Sequence, residues 1–373
     1  MKWNTIFYLI SLFLILLFPT FKLDDKEIDE KEKRTLSKFP FLFKEKINLK
    51  FGLQLEAWVN DHFSNRRKII DKYLMFDKIL SGRIENNRAF MGKERWLFYK
   101  GDSSIENYQN KNLYSNEQLE KIKNNLIKRN NLLEKHGIKY YTFIAPDKNK
   151  VYGEFYPNYI RKINNTGKVE HVIEFLKDST SCQNREGGSI IYPLDNLMNA
   201  KNIGLIYWKT DTHWNSYGAF LGYMTLIENI KIDFSEITEL KIENFDLIEK
   251  PWLSGDLLNM LNLNLEYYKN DQYFELIPKE VYKFEKLLVD KNKPYSIITK
   301  NKNGNNLKVL IFRDSFIESM IPYISETFSE VEYIWDHNFN SYQKKIIKEK
   351  PDIVIHEMVE RSIDVLLRDT PEL

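Results

Sequence analysis

Tyr207 to Gly222 reads YWKTDTHWNSYGAFLG, and within it Asp211-Thr212-His213 sets a carboxylate and an imidazole two residues apart. The run follows the apolar stretch Gly204 to Trp208 and precedes Ser216 to Ile230, which has a helical pattern. If Gly204 to His213 is extended, alternate side chains share a face, and Asp211 and His213 point the same way. An Asp beside a His fixes the imidazole tautomer and stabilises its protonated form, two parts of a Ser-His-Asp device. A nucleophile is offered about a hundred residues later by Arg313-Asp314-Ser315-Phe316. There the apolar run Val309-Leu310-Ile311-Phe312 meets the helix-like Ile317 to Phe328. A serine at such a strand-to-helix turn sits at the carboxyl edge of a sheet and at a helix N-terminus, where backbone N–H groups can stabilise an oxyanion.

Working outward, strands and helices alternate. Ser115 with Gln118 makes a capping box, Leu119, Ile122, Leu126 and Leu133 form an apolar stripe, and Gly137 closes the helix. Ile138 to Ile144 reads as a buried strand, Val169 to Leu176 as a helix, Ser189 to Tyr192 as a strand and Gly204 to Trp208 as another. Residues 233–306 break the rhythm, with a bend at Ser254-Gly255-Asp256 and short alternating pieces such as Tyr282 to Val289. Alternation resumes with Lys308 to Phe312, Val331 to Trp335, the helix-like Tyr342 to Lys348 and Ile353 to His356. The pattern predicts an α/β fold, a mainly parallel sheet flanked by helices, with a partly β insertion. Upstream, Leu53 to Leu80 carries apolar residues at helical intervals, so a helical extension precedes the α/β domain.

Composition narrows the function. The 373 residues hold 55 Lys and Arg against 53 Asp and Glu, a net charge of +2 spread along the chain, which gives no argument for nucleic acid as a partner. Aromatics at 14% suit carbohydrate contact, although most of the 22 Tyr and 24 Phe must serve the core. The single Cys182 lies in the polar stretch Ser179 to Gly188 and rules out an intramolecular disulfide. Trp3 to Phe21 carries no charge, and nineteen helical residues span roughly 28 Å, near the hydrocarbon thickness of a bilayer. No small-x-small cleavage site follows, so residues 1–23 read as an uncleaved signal-anchor and Asp24 to Lys33 as a solvated stalk. Lys2 alone precedes the segment whereas several Lys and Arg follow it, so loop charge does not set the orientation.

Around the two motifs the chain resembles the DHHW and alginate-acetyltransferase (AlgJ/AlgX-like) group of SGNH-hydrolase-like proteins, extracytoplasmic bacterial O-acetyltransferases of polysaccharides. The matching pieces are YWKTDTHWNSYG from Tyr207, FRDSF from Phe312, APDK from Ala145, NDHFSNRR from Asn60, KERWLFY from Lys93 and SGDL from Ser254. They run in the family's order over nearly the whole chain after the apolar segment. Thr212 replaces the first His of the name-giving tetrad, and Arg313 stands where many SGNH proteins have Gly. The resemblance implies an SGNH-like domain over 101–373 with its insertion at about 233–306, after a stalk and helical extension over 24–100. It also implies a polysaccharide acceptor, a membrane-bound O-acyltransferase partner supplying acetyl, an anchored position outside the cytoplasm, and no cofactor.

In that reading Ser315 attacks an acyl donor, His213 takes its proton and later activates the acceptor hydroxyl, and Asp211 orients the imidazole. The plainer reading makes Ser315 a helix cap and the Asp-His pair a strand-end hydrogen bond. Five further residues are substrate or oxyanion candidates, each beside a plainer reading. Arg313 reaches toward the acyl oxygen or sugar, or pairs with Asp314 or Glu318. Gly255 lends a backbone N–H to the oxyanion hole or merely turns. Asn215 lines the site or caps the next helix. Lys148, at a strand's carboxyl end, contacts substrate or makes a surface salt bridge. Trp214 forms a sugar-stacking wall or packs beneath the imidazole. Asp314 reads as a turn-former, and adjacent Asp61 and His62 do not face each other on a helix. Asp-x-His could ligate zinc, but the sequence offers no HExxH or Cys pair as further ligands, only the scattered His337 and His356. Nor is there a phosphate loop. A carbohydrate esterase using the same triad, and a non-catalytic scaffold of a polysaccharide export assembly, are the competing functions.

Overall fold

The computed structural model describes residues 28–29, 34–43, 47–62, 83–178, 189–251, 254–263, 268–269, 271–288 and 296–369. The apolar run from Trp3, most of the charged run from Asp24, the second half of the Leu53 to Leu80 segment and the stretch around Cys182 lie outside them. Among the described residues no helix is long and apolar enough to cross a membrane.

The capping box expected at Ser115 forms in both directions, Ser115 Oγ accepting from Gln118 N–H at 3.2 Å and Gln118 Oε1 from Ser115 N–H at 3.0 Å. It starts α1 (Asn116–Glu134), whose Leu119, Ile122, Leu126 and Leu133 are buried. Gly137, at φ +75°, takes the left-handed conformation that lets the chain turn straight into β1 (Lys139–Ala145). In chain order there follow α2 (Lys168–Asp178), β2 (Ser189–Ile191) and α3 (Ser216–Ile230), then β3 (Glu285–Leu288), β4 (Ile297–Lys300) and β5 (Asn305–Phe312). Next come α4 (Ile321–Thr327), β6 (Phe328–Ile334), α5 (Phe339–Glu349) and β7 (Ile353–Val359).

These strands make one seven-stranded sheet in the order β2-β1-β7-β5-β6-β4-β3. The first five are parallel, and β4 and β3 extend the edge antiparallel. Parallel strands must be covered on both faces, which is why Val309 to Phe312 of β5 and Ile353 to Ile355 of β7 read as continuous apolar runs. Val309 and Ile311 of β5 pack with α3 and α4 in one core, while Leu310 and Phe312 pack with α1, α2 and α5 in the other. Burying each such side chain contributes about 1.5–3 kcal/mol.

Two expectations need correcting. Gly204 to Trp208 is not a strand. Its ties include one isolated antiparallel bridge, Tyr207 to Trp214, Ile206 N–H to Tyr152 Oη and Tyr207 Oη–H to Pro146 carbonyl. The segment 233–306 is not wholly an insertion either. It contributes a two-stranded ribbon, Phe245–Pro251 against Gln272–Pro278, but then gives β3 and β4 to the main sheet. A short hairpin of Ala89–Met91 and Leu97–Tyr99 packs with Leu257, Leu258 and Leu261 in a third, smaller core.

Candidate active site

Two turns meet beyond the carboxyl ends of β1, β7 and β5, the edge where open α/β sheets place their ligands. The first leaves β5. Asp314 Oδ1 accepts Phe316 N–H at 2.8 Å and its Oδ2 accepts Val359 N–H at 2.7 Å, so one carboxylate ties the turn to itself and to the end of β7. Asp314 N–H in turn meets Glu357 Oε2 at 3.0 Å. Glu357 is fully buried, and burial together with Asp314 pushes its carboxyl well above the ordinary range. The expected helix Ile317 to Phe328 is instead a single 3₁₀ turn, Phe316–Ser319, followed by α4, with Phe328 already in β6. Pro322 explains the break, since proline fits only the opening turn of a helix.

The second turn carries Asp211 and His213. Their pairing does not arise from strand alternation. Asp211 Oδ1 accepts both the backbone N–H of His213 at 3.0 Å and its ring Nδ1–H at 2.6 Å, a side-chain-closed turn of the kind Asp favours. Asp211 Oδ2 accepts Asp256 N–H at 2.9 Å. With Nδ1 donating, His213 Nε2 is free to accept, and it lies 2.7 Å from Ser315 Oγ. Ser315 and His213 are partly exposed, so a substrate can reach them.

The electrostatics suit a base. Burial works against the imidazolium, but the hydrogen bond and charge of Asp211, with Asp256 behind it, leave His213 above its ordinary value. Burial would raise Asp211, yet the bond and charge from His213 and the N–H groups of Asp256 and His213 hold it at about 2. Asp256 is raised by burial and then by Asp211.

Asp211, His213 and Ser315 thus form one hydrogen-bonded chain, and the five remaining candidates go elsewhere. Trp214 is fully buried and donates Nε1–H to Phe316 carbonyl at 2.9 Å, so it joins the two turns from beneath and offers no wall to a sugar. Asn215 caps α3, accepting Gly218 N–H at 2.9 Å and donating to Leu205 carbonyl at 2.6 Å. Arg313 pairs with Glu318 at 2.7 Å and lies over the Trp335 ring. Gly255 packs against the backbone of Thr210 and the Cβ of Asp211, and its place is to let two backbones approach. Among the described residues Lys148 makes no salt bridge: it is buried and donates to the carbonyls of the Asp211 turn. Of the adjacent pair upstream, Asp61 accepts Ser37 N–H and His62 Nδ1 lies by Trp58 carbonyl.

Sequence reasoning missed Asp256 and Arg361. Asp256 accepts Thr212 N–H at 2.8 Å and Thr212 Oγ–H at 2.6 Å, 44 residues away, so only its place in SGDL hinted at a role. Asp211, His213 and Asp256 bring three potential metal ligands within 4.8 Å of one another. Each carboxylate oxygen already accepts an N–H or O–H from the turns, which makes the cluster a scaffold for the imidazole. Arg361, one turn past β7, pairs with Asp147 after β1 and lies 5.4 Å over the Phe316 ring.

Comparison with known proteins identifies the family and the fold. The family described as the SGNH hydrolase-like domain of acetyltransferase AlgX matches residues 89–298, more than half of the chain. No curated protein matches in sequence. Among solved structures, Bacillus cereus PatB1 with a sulfonyl adduct superposes with a TM-score of 0.53 at 15% identity, over 76% of this chain and 98% of that one. A DHHW family protein from Eubacterium siraeum superposes at 0.51 with 15% identity, over 76% and 94%. At such identity the two superpositions establish a shared fold. With the sequence match spanning the Asp211 turn, the chain belongs to the family of the SGNH hydrolase-like domain of acetyltransferase AlgX.

Proposed function

We propose that this protein is an O-acetyltransferase that carries an acetyl group on Ser315 and delivers it to a hydroxyl of a polysaccharide outside the cytoplasm. The observation that carries the reading is the unbroken chain Asp211 Oδ1 to His213 Nδ1 at 2.6 Å and His213 Nε2 to Ser315 Oγ at 2.7 Å. Membership of the acetyltransferase family supports acetyl as the acyl group.

The geometry permits the following steps. Ser315 Oγ attacks the carbonyl carbon of the donor as its proton passes to His213 Nε2, and the imidazolium is stabilised by Asp211. The tetrahedral adduct collapses, the donor's leaving oxygen takes the proton from Nε2, and acetyl-Ser315 remains. An acceptor hydroxyl then gives its proton to Nε2 while its oxygen attacks the acetyl carbon. Collapse returns the proton to Ser315 Oγ and leaves the acetyl ester on the sugar. Phe316 N–H is already held by Asp314, so the oxyanion is stabilised by other donors. In this reading a membrane-bound O-acyltransferase supplies the acetyl group, as the resemblance to the AlgJ/AlgX-like group implies, and the uncharged run Trp3 to Phe21 tethers the protein beside it.

Transfer, hydrolysis and scaffolding separate in one assay. The full-length protein is given an activated acetyl ester with and without a de-O-acetylated bacterial polysaccharide, and acetylated sugar and free acetate are both measured. Transfer predicts acetylated sugar that disappears in Ser315→Ala. Free acetate alone makes the protein an esterase, and neither product makes it a scaffold.

A further inference from the structure

Lys148 is buried, with 4% of its surface exposed, and among the described residues its hydrogen-bond partners are backbone oxygens of one turn. Its Nζ donates to the carbonyls of Asp211 at 2.7 Å, Trp208 at 3.2 Å and Lys209 at 3.4 Å. The ammonium also lies 5.2 Å from the Phe98 ring centre and 5.8 Å from that of Trp96. Three N–H donors match three carbonyls. A neutral amine has only two and would turn a lone pair toward an oxygen. Keeping a charge in such a place opposes folding: burial pushes Lys148 down to about 7, against the pull of Asp256 and Asp211. The other charges near it are the paired Asp147 and Arg361, which line the same small cavity.

What this charge holds explains its position. Trp208 to Asp211 belongs to no strand of the sheet, and its other backbone ties include Lys209 carbonyl to Leu97 N–H at 2.9 Å, Thr210 carbonyl to Leu258 N–H at 3.1 Å and Trp208 N–H to His213 carbonyl at 3.3 Å. None of these three reaches the Asp211 peptide. Its carbonyl goes to Lys148, and its carboxylate must stay within 2.6 Å of Nδ1 for the imidazole to face Ser315. We propose that Lys148 is a positioning residue for His213: by gathering the carbonyls of Trp208, Lys209 and Asp211 it fixes the backbone from which Asp211 aims the imidazole at Ser315. The proposal rests on the acyl-transfer reading above. Lys148 acts through Asp211 and touches no acyl group.

The test reads His213 directly. In the full-length protein with labelled histidine, the His213 imidazole signal is identified among the six histidines by its loss in His213→Gln and is titrated by NMR. Wild type should titrate above the ordinary value. In Lys148→Met the midpoint should fall by roughly half a pH unit or more as Asp211 loses its aim. On an activated acetyl ester, kcat should drop about 10- to 100-fold with KM within about twofold, while melting stays one cooperative transition. A folded Lys148→Met with an unmoved His213 midpoint overturns the proposal, whether or not kcat falls, since a kcat loss alone would mark a merely structural lysine. If the Met variant does not fold, Lys148→Gln, which keeps two N–H donors, is judged by the same titration and the same criterion. Because titration needs no turnover, a wild-type protein that transfers no acetyl would sink the acyl-transfer reading while leaving the His213 midpoint to decide the role of Lys148.

Discussion

The turn that carries Ser315 grows directly out of β5 and is pinned to the neighbouring β7 by Asp314, so the sheet itself sets the place of the serine. The turn that carries Asp211 and His213 grows out of no strand. It is assembled from contacts with distant side chains, Lys148 after β1 and Asp256 between the two strands of the ribbon, and from the neighbouring Trp214 below. The nucleophile is therefore placed by topology and the base by a buried polar network. Networks of that kind depend on every member being satisfied. Damage to the support should thus cost the His213 turn more than the Ser315 turn.

Gly255→Ala should show the largest effect. A Cβ there would lie 2.3 Å from Thr210 carbonyl and 2.8 Å from the Cβ of Asp211, and backbone cannot yield as a flexible side chain can. A loss of about 1–3 kcal/mol in a denaturant melt is expected, with ester turnover down about 100-fold or more. Asp314→Ala removes a cap from the Ser315 turn, which the strand still holds. It should cost about 1–2 kcal/mol and less turnover than Gly255→Ala, and the reverse order would break the comparison.

Acid should act on the His213 turn in a way that has a definite sign. His213 must be unprotonated to accept the serine proton, and its value lies above 6.5, so kcat/KM should fall as pH drops through that value. On stability the raised His213 works oppositely. Its contribution is fully present below about 6.5 and is lost as pH rises through the folded value. Asp211, depressed to about 2, contributes above about 3.9 and loses that contribution as pH falls toward 2. A melting series against pH checks both limbs. Glu318→Gln should change least: Glu318 is largely exposed in its pair with Arg313, and about 1 kcal/mol or less of stability with unchanged turnover is expected.

The sheet was largely legible because its signals are local. The capping box at Ser115, the stripe of α1, Gly137, and the apolar runs of β5 and β7 each act within a few residues. The three residues of the hydrogen-bonded chain were legible for a related reason, since Asp211 and His213 pair within one turn and Ser315 ends a strand. What the sequence hid was support across distance. The partner of Lys148 lies 63 residues away and that of Asp256 lies 44 away, and a buried lysine spelled in sequence looks like a surface one. Gly204 to Trp208 misled because five apolar residues suit a strand, whereas their burial comes from packing beneath the site, Ile206 and Tyr207 being fully covered. Trp214, read as either a sugar-stacking wall or packing beneath the imidazole, takes the second place, its indole N–H satisfied inside.

The most direct test of the acyl-serine is the intact mass of the full-length protein after a short exposure to an activated acetyl ester, followed by peptide mapping, in wild type, Ser315→Ala and His213→Ala. The account predicts one acetyl group on Ser315 in wild type and none there in either variant, all three melting cooperatively. Folded wild-type protein that carries no acetyl on Ser315 and turns over no ester would contradict it.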